Sequence, residues 1–383
     1  MNPRKAAVLL VIAGLAASCG RPEHPPVLLG LNLELTGDIQ TIGQSAQNAA
    51  QLFFDRLNEA GGVGLADGRH PVELLVNDNG ANATQAAAVA QRQISRENIT
   101  AMIGPNSGKC ATAASEIAEA LKCVMVSPWS ADPMTTMDPV GGVPKRYVFR
   151  AGATGDVQGR VMAAFALSRL GARTAAIMAD AEGDTQAAGF EEVFSAGGGE
   201  IVSRQTVGAG DREAADTIAA IIPLAPEVVF VAASCDRSLP LLEAAKAAGL
   251  HAKFLGTELW NSPQTMRMAA LGLDDLYFCR NFDHRAAGPA AAQFVADYTA
   301  RFGSAPDDVA ALTYDACGLV AAALEQSGKD EREALRESLA RLGNFEGVAG
   351  TYRFDPGSSN PEKSMSVMQI KGSGLSWIGD FGG

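Results

Sequence analysis

Short apolar runs alternate along the chain with longer stretches in which apolar residues recur every three or four positions. The short runs predict β-strands and the longer stretches predict amphipathic helices, because these two periods match the geometry of the two elements. Strands separated by helices of about 10–15 residues are typical of βαβ units with parallel strands. The first series has predicted strands at 27–34, 71–77, 99–103 and 122–126, and predicted helices at 40–60, 84–97 and 108–121.

The pattern restarts after a segment rich in proline and glycine at 132–145. Some later strands, such as 228–232, are apolar on both faces, as in a sheet that helices cover on both sides. The restart predicts an α/β fold with two sheets rather than one. The second series has predicted strands at 147–150, 174–179, 200–205, 227–232, 253–255 and 277–281, helices at 157–170, 185–196, 212–221, 238–248, 290–302, 308–326 and 331–342, and short β segments at 350–354 and 364–370.

The polar residues that interrupt this pattern collect in the loops that follow the predicted strands. In open parallel sheets, ligands bind beyond the carboxyl ends of the strands. These loops are therefore the predicted binding region, and they comprise 34–41, 77–82, 104–109, 127–132, 180–184, 233–236 and 256–262.

The composition excludes several classes of protein. The chain has 383 residues, 47% apolar and 19% charged, so it can bury a core and two or three domains are expected. Its net charge of −12 argues against nucleic acid as a partner.

Four histidines and six scattered cysteines leave little material for a metal site, and we expect no cofactor. The chain has no Gly-x-Ser-x-Gly, Walker or His-Glu-x-x-His motif, which argues against an enzyme.

The N-terminus has the form of an export signal. Two basic residues precede an apolar run at 6–17, which is too short to span a bilayer. The run ends in Leu-Ala-Ala-Ser-Cys at 15–19, which resembles a bacterial lipobox, although the strongest form has Leu in place of Ala16. We expect 1–19 to be a lipoprotein signal with Cys19 lipidated, 20–26 to be a tether, and the anchor to be the only membrane contact. A plain secretion signal is the alternative.

An exported protein can form disulfide bonds. Lipidation of Cys19 leaves an odd number of other cysteines, so at least one stays a free thiol unless it pairs between chains. The sequence leaves their pairing open. These cysteines are Cys110, Cys123, Cys235, Cys279 and Cys317.

A series of short motifs resembles the type I periplasmic solute-binding proteins, in the branch of branched-chain amino acid receptors of ABC transporters. The resemblance extends from about Val27 to Ile370. The motifs are Leu-Thr-Gly-Asp at 35–38, Ile-Gly at 42–43, Asn-Glu-Ala-Gly-Gly at 58–62, Ile-Gly-Pro at 103–105, Ser-Pro at 127–128, Leu-Thr-Tyr-Asp-Ala at 312–316, and Phe-Glu-Gly-Val-Ala-Gly at 345–350 with Phe-Asp at 354–355.

The resemblance implies two Rossmann-like lobes joined by three crossing strands, with a ligand in the cleft between them. Lobe 1 would comprise 26–148 with 281–346, and lobe 2 would comprise 149–280 with 347–383. It also implies a monomer that delivers a small amino acid or a related compound to an ABC permease from the periplasm or the cell surface. A ligand sensor of the same fold that signals to a regulator is the alternative.

The family site implies that the ligand carboxylate is held in lobe 1 by two loops. One loop supplies Asn106, Ser107 and Gly108, and free N–H groups at the start of the following helix suit an anion. The other loop supplies Ser130 and Ala131. Gly108 and Ala131 replace the usual Ser and Thr hydroxyls, so either the neighbouring hydroxyls substitute or the ligand is not a standard α-amino acid. Ser107 is alternatively a simple N-cap.

The ligand ammonium is met in lobe 2 of the family by an acid in a Gly-x-acid-x-Trp loop, which places Glu258 there. Trp129 and Trp260 are candidates for apolar walls of the cleft, with core packing as the alternative. The family has an aromatic residue near the position of Ser234. Because this chain lacks it, the family's specificity for the side chain of the ligand is not inherited. The acids of the second-lobe loops, Asp180, Asp184 and Asp236, either favour a polar or cationic ligand or are solvated.

Overall fold

The computed structural model describes residues 24–181, 183–208, 211–261, 265–273, 275–285, 288–355, 357–372 and 374–382. The predicted signal segment with Cys19, and most of the predicted tether, lie outside the described residues. Among the described residues, no helix combines the length and the apolar character that a membrane span requires.

Strands and helices alternate along most of the chain. The strands are β1 (Val27–Leu33), β2 (Val63–Leu65), β3 (Gly68–His70), β4 (Val72–Asp78), β5 (Ala101–Ile103), β6 (Val124–Ser127), β7 (Val148–Arg150), β8 (Thr174–Ala179), β9 (Glu200–Thr206), β10 (Val228–Ala232), β11 (Lys253–Gly256), β12 (Leu276–Arg280), β13 (Phe345–Glu346), β14 (Thr351–Phe354), β15 (Pro361–Lys371) and β16 (Gly374–Gly382). The helices are α1 (Gln40–Glu59), α2 (Ala83–Ser95), α3 (Gly108–Ala120), α4 (Gly155–Ser168), α5 (Asp184–Ala196), α6 (Asp211–Ile221), α7 (Cys235–Ala247), α8 (Thr265–Ala269), α9 (Pro289–Phe302), α10 (Asp308–Ser327) and α11 (Arg332–Leu339).

The first sheet has the strand order β4-β1-β5-β6-β7, and its strands are parallel. On one face Leu29 and Leu31 of β1 pack in a core with Leu319 of α10 and residues of α1. On the other face Met102 packs against Ala111 and other residues of α2 and α3. The sheet is covered on both sides, which explains why its strands are apolar on both faces.

The second sheet has the order β13-β14-β15-β12-β11-β10-β8-β9, with β16 beside β15. The strands from β8 to β12 are parallel, whereas β15 runs antiparallel to β12, β14 and β16. Phe165 of α4 and Phe190 of α5 lie in the core on one face, and Leu242 of α7 and Met268 of α8 lie in the core on the other. The predicted α/β fold with two sheets is confirmed.

The structure differs from the predicted elements mainly in short or peripheral elements of the two sheets. The hairpin of β2 and β3, the short helix α8 and the strand β16 were not predicted, and β15 is longer than the predicted segment 364–370. β16 is rich in glycine and half-exposed, so it carries little apolar signal. The lobe boundaries remain a prediction: β7, which spans the predicted boundary at 148/149, pairs with β6 of the first sheet.

The five cysteines outside the predicted signal form no disulfide bond with one another, and all five are buried. Burial raises the pKa of the Cys123 thiol to about 12, so this group stays protonated at physiological pH. These cysteines are therefore small core residues in the structure.

Two glycines bring α4 and α5 into close contact. A Cβ on Gly159 would lie 2.0 Å from the carbonyl oxygen of Gln186, and a Cβ on Gly189 would lie 2.2 Å from the carbonyl oxygen of Asp156. Because α5 begins at the carboxyl end of β8, this contact helps to place the loop that follows that strand.

We expect Gly159→Ala to lower the free energy of unfolding by about 1–3 kcal/mol, because the added methyl group forces the two helices apart. Urea unfolding followed by circular dichroism measures this change. Gly343→Ala is the matched control, since a Cβ at that exposed loop position meets no atom within 4 Å. Equal stability of both variants and the parent would contradict the close packing.

Candidate functional site

Loops from both sheets carry the candidate site residues. In the first sheet, the loops after β1, β5 and β6 are neighbours, because these parallel strands lie side by side and end at the same edge. In the second sheet, the loops after β8, β10 and β11 are neighbours for the same reason. The predicted binding loops therefore form one group at the edge of each sheet.

The loop after β5 is held by an internal carboxylate, that of Glu34. Glu34 is fully buried, and its Oε1 accepts hydrogen bonds from the backbone N–H groups of Asn106 at 3.1 Å and Ser107 at 3.0 Å. The Ser107 hydroxyl donates to Oε1 at 3.1 Å, and the Asn106 amide donates to Oε2 at 3.1 Å. The Asn106 and Ser107 donors that the sequence assigned to a ligand carboxylate are thus already engaged by a carboxylate of the chain.

Ser107 occupies the N-cap position of α3, but its side chain makes no capping hydrogen bond. Its hydroxyl binds Glu34 instead, so the simple N-cap alternative is not what the structure contains. Gly108, the first residue of α3, is half-buried beside Asp132: a Cβ on it would lie 3.0 Å from the Cβ of that residue. The site therefore has a second carboxylate close to the start of the helix.

The loop after β6 is held by Arg150, which is fully buried in β7. Its Nη1 donates to the Ser130 carbonyl at 2.6 Å, and its Nη2 donates to the Asp132 carbonyl at 2.8 Å. Burial lowers the pKa of Arg150 to about 10, although the charges of Asp132 and Asp156 oppose the shift, so the guanidinium stays charged at neutral pH. Arg150 is a positioning residue that fixes this loop.

The predicted residues of that loop have different environments. The hydroxyl of Ser130 is buried and lies 2.8 Å from that of Thr135. Ala131 is exposed, and Trp129 is half-buried against the core of the first sheet. Of these residues, Ala131 and the exposed part of Trp129 are accessible to a solute.

In the half of the fold that contains the second sheet, Ser234 is half-buried at the N-cap position of α7. Trp260 is completely buried, and its indole N–H donates to the Ser238 hydroxyl at 2.9 Å. A Cβ on Gly256 would lie 2.2 Å from the Trp260 ring, so the tryptophan packs on the backbone of β11. The alternative of core packing therefore holds for Trp260, and this residue does not form a wall of a cleft in the structure.

Glu258 lies at the start of a short 3₁₀ helix, Glu258–Trp260, that follows β11. Its Oε2 accepts a hydrogen bond from the Asn281 amide at 2.5 Å. Its backbone N–H donates to Oε1 of Gln158 at 3.3 Å. The Oε1 atom of Glu258 is buried, and no protein N–H or hydroxyl group of the described residues donates to it. The predicted ammonium-binding acid is thus oriented by two amide side chains.

The carboxyl group of Glu258 faces Asp308, the first residue of α10. Asp308 accepts hydrogen bonds from Arg280 at 2.6 Å and from Asn261 at 3.0 Å. Arg280 also contacts Asp283 at 3.1 Å. Since α10 packs on the first sheet and the other groups follow strands of the second, this buried cluster joins the two halves of the fold.

The cluster changes the acidity of both carboxyl groups. Burial raises the pKa of Glu258 to about 8, and the negative charge of Asp308 adds to the rise, while the hydrogen bond from Asn281 opposes it. Burial also raises the pKa of Asp308, against the charge of Arg280. Both carboxyl groups are therefore harder to ionise than exposed acids, and the pKa of Glu258 is the one raised far enough to reach the neutral range.

Sequence reasoning missed four of the groups that shape the site: Glu34, Arg150, Arg280 and Asp308. Arg150 and Arg280 each end an apolar strand with a charge, which was a usable signal. Asp308 looks like an ordinary acid at a helix start, and Glu34 looks like an ordinary loop acid. Their roles depend on contacts between segments that are distant in the sequence.

The fold and these loops define a binding protein with two α/β halves. Residues 26–374 match the family described as "Periplasmic binding protein", and the chain belongs to that family. The predicted family and the prediction that the chain is not an enzyme are confirmed, because its homologues are substrate-binding proteins of transporters.

The relatives include binding proteins with different ligands. The chain is 23% identical over 351 residues to a leucine-, isoleucine-, valine-, threonine- and alanine-binding protein of Pseudomonas aeruginosa, with 90% of each covered. A solved structure from Rhodospirillum rubrum, assigned to a branched-chain amino acid ABC transporter, is 29% identical with a TM-score of 0.82, covering 92% of this chain and 100% of that one.

A third relative is a solute-binding protein of an ABC transporter from Rhodopseudomonas palustris BisB5, solved in complex with 3,4-dihydroxybenzoic acid. It is 20% identical, with a TM-score of 0.68 and coverage of 94% of this chain and 97% of that one, and it shows the same fold. The family binds small molecules outside the cytoplasm and delivers them to ABC transporters, and this chain is a binding protein of the branched-chain amino acid ABC transporter type.

We expect Glu258→Gln to flatten the pH dependence of stability. The pKa of Glu258 is higher in the folded protein than its ordinary value of 4.5, so the folded state binds more protons between that value and about 8. The free energy of unfolding of the parent protein therefore falls as the pH rises through this range, by up to about 1.4 kcal/mol per pH unit.

Urea unfolding at several pH values measures this slope in the parent and the variant. Burial also raises the pKa of Asp315 to about 6, so both proteins retain part of the slope and only the difference reports on Glu258. Glu243→Gln, on the exposed side of α7, is the control that should keep the parent slope. Identical slopes for Glu258→Gln and the parent would exclude a protonated Glu258.

Proposed function

We propose that the protein is the lipid-anchored solute-binding component of an ABC importer, and that it captures a small amino acid or a related compound between two lobes. Lobe 1 comprises 26–148 with 281–346, lobe 2 comprises 149–280 with 347–383, and Cys19 carries the lipid. The protein acts as a monomer and presents its ligand to the permease subunits in the membrane.

One observation carries the proposal: the carboxyl group of Glu258 is buried against Asp308 and is short of positive charge. Arg280 pairs with Asp308 and with Asp283, which also pairs with Arg285, whereas Glu258 has no ion pair among the described residues. Burial and the charge of Asp308 raise the pKa of Glu258 to about 8, which supports a protonated carboxyl group in the absence of a ligand. An ammonium or another N–H cation of a ligand replaces this proton and forms a charge-assisted hydrogen bond with Glu258. A ligand without such a group leaves the carboxylate unpaired, which gives specificity.

The lobe 1 side favours related compounds over standard α-amino acids. Gly108 and Ala131 bring no hydroxyl to the ligand carboxylate. The neighbouring hydroxyls are already engaged, that of Ser107 by Glu34 and that of Ser130 by Thr135. The Asp132 side chain beside Gly108 adds negative charge. We therefore infer a ligand whose cationic or amide end, rather than its carboxylate, supplies most of the binding energy.

Binding is coupled to closure of the lobes. A ligand that contacts the Gly108 loop of lobe 1 and Glu258 of lobe 2 at once binds the closed arrangement more tightly than an open one, and so shifts the population toward it. Trp129 and Ser234 are each half-buried in their loops, and we propose that their exposed parts contact the remainder of the ligand.

We expect a thermal-shift screen of amines, amides, polyamines, amino acids and aromatic acids to find a stabilising ligand, since a ligand at 100 times its Kd adds about 2.7 kcal/mol. The shift should be lost in Glu258→Ala and kept in Glu243→Ala, with circular dichroism confirming that both variants fold. A ligand whose affinity is unchanged in Glu258→Ala would remove that residue from the site, and the lack of any stabilising small solute would overturn the proposed function.

We expect the full chain expressed in a bacterium to sediment with membranes and to incorporate labelled fatty acid at Cys19, because several acyl chains hold a protein stably at a bilayer. Cys19→Ser should abolish the label, whereas Ser18→Ala, which keeps a small residue beside the cleavage site, should not. Equal labelling of Cys19→Ser and the parent would exclude Cys19 as the lipidation site.

A further inference from the structure

Two histidines and an aspartate from distant parts of the sequence come together beside the start of β1. His24 lies at the beginning of the described chain, Asp67 lies in the turn between β2 and β3, and His70 ends β3. His70 Nε2 is 2.9 Å from Asp67 Oδ1, and His24 Nδ1 is 3.7 Å from Asp67 Oδ2. One ligand atom from each residue lies within 4.8 Å of the others.

The two imidazole rings are next to each other, with centroids 4.6 Å apart and planes inclined by 31°. The sequence shows four scattered histidines and therefore predicted no metal site. The pairing depends on the hairpin of β2 and β3, which folds back beside the segment that leads into β1.

A backbone carbonyl fixes the orientation of His70. Its Nδ1 is 2.9 Å from the carbonyl oxygen of Pro25, and a carbonyl oxygen only accepts, so Nδ1 carries the hydrogen. In the neutral ring, Nε2 then presents its lone pair to the carboxylate of Asp67. A carbonyl or carboxylate that holds the remote nitrogen of a histidine in this way is the usual support of a metal-binding imidazole.

The contact between Nε2 and the Asp67 carboxylate requires a cation, because two lone pairs at this distance repel each other. A proton on Nε2 is one such cation and a metal ion is the other. Two ligand atoms that bind one metal at about 2.0–2.1 Å lie roughly 3 Å apart. The 2.9 Å between His70 Nε2 and Asp67 Oδ1 suits a shared metal ion, and His24 Nδ1, at 3.7 Å from Asp67 Oδ2, has to move closer on binding.

We propose that His24, Asp67 and His70 form a site for a divalent transition metal such as Zn²⁺, with His70 Nε2 as the central ligand and water in the remaining position. Two imidazoles and one carboxylate suit Zn²⁺ and its neighbours, whereas Mg²⁺ and Ca²⁺ prefer oxygen ligands alone. The Asp67 side chain is 65% exposed, so an ion reaches the site from solvent, while the His70 side chain is 8% exposed and held in place.

The site would connect the segment that enters β1 to the body of the protein. The same hairpin is already joined to the end of α10, where the Ala66 N–H donates to the Gly328 carbonyl at 2.9 Å. A metal ion at the site therefore fastens the N-terminal segment to the first half of the fold. This role is independent of the ligand that the protein carries.

Isothermal titration of the purified protein with ZnCl₂, and separately with MgCl₂, tests the site. We expect one Zn²⁺ site per chain that Asp67→Ala, His24→Gln and His70→Gln each weaken by about tenfold or more, and no comparable Mg²⁺ site. His251→Gln is the matched control, since this exposed histidine lies in the second half of the fold. Any background binding at Cys19 is common to all variants and cancels in the comparison.

Thermal unfolding gives a second readout, because an ion that binds only the folded chain raises the melting temperature of the parent and of His251→Gln but not that of Asp67→Ala. Asp67 is exposed, so this variant folds even where the buried His70 variant does not. Equal Zn²⁺ affinity in the parent and in Asp67→Ala, or no saturable site in the parent, would overturn the proposal and leave a charged histidine–aspartate pair only.

Discussion

The buried contact between the carboxyl groups of Glu258 and Asp308 is the interaction on which the proposed binding site depends. One group follows a strand of the second sheet, and the other begins the helix that packs on the first sheet. Burial of two acids beside one guanidinium is unfavourable unless a further positive charge is present. Arg280 offsets one negative charge, and the buried Lys363 also interacts with both carboxyl groups. We propose that a proton or the cation of a ligand supplies the remaining positive charge.

The loops around this contact are held by charged side chains that the chain supplies itself. Glu34 satisfies the N–H groups of Asn106 and Ser107, and Arg150 satisfies the carbonyls of Ser130 and Asp132. A loop fixed in this way needs little reorganisation when a ligand arrives, which favours binding. It also leaves fewer groups for a ligand carboxylate than the family site implies, which is why we propose that recognition depends mainly on Glu258.

The sequence predicted the fold better than the site. The repeating strand and helix periods reflect burial, which acts along the whole chain, and the two sheets follow from the restart after 132–145. β16 and α8 were missed because glycine-rich edge strands and one-turn helices carry weak periodicity. Glu258 was predicted because it stands within a motif. Asp308 and Glu34 were not, since their roles arise only when distant segments meet, and the loop position of Trp260 did not reveal that its ring is buried.

The most direct test of this account is a carbon-13 NMR titration of the glutamate side-chain carboxyl groups between about pH 4 and pH 9, in the absence of ligand. We expect one resonance that titrates far above the ordinary value of 4.5, that vanishes in Glu258→Gln, and that moves back toward that value in Asp308→Asn. If every glutamate of the folded protein titrated in the ordinary range, Glu258 would carry its full charge without a ligand, and the central claim would be wrong.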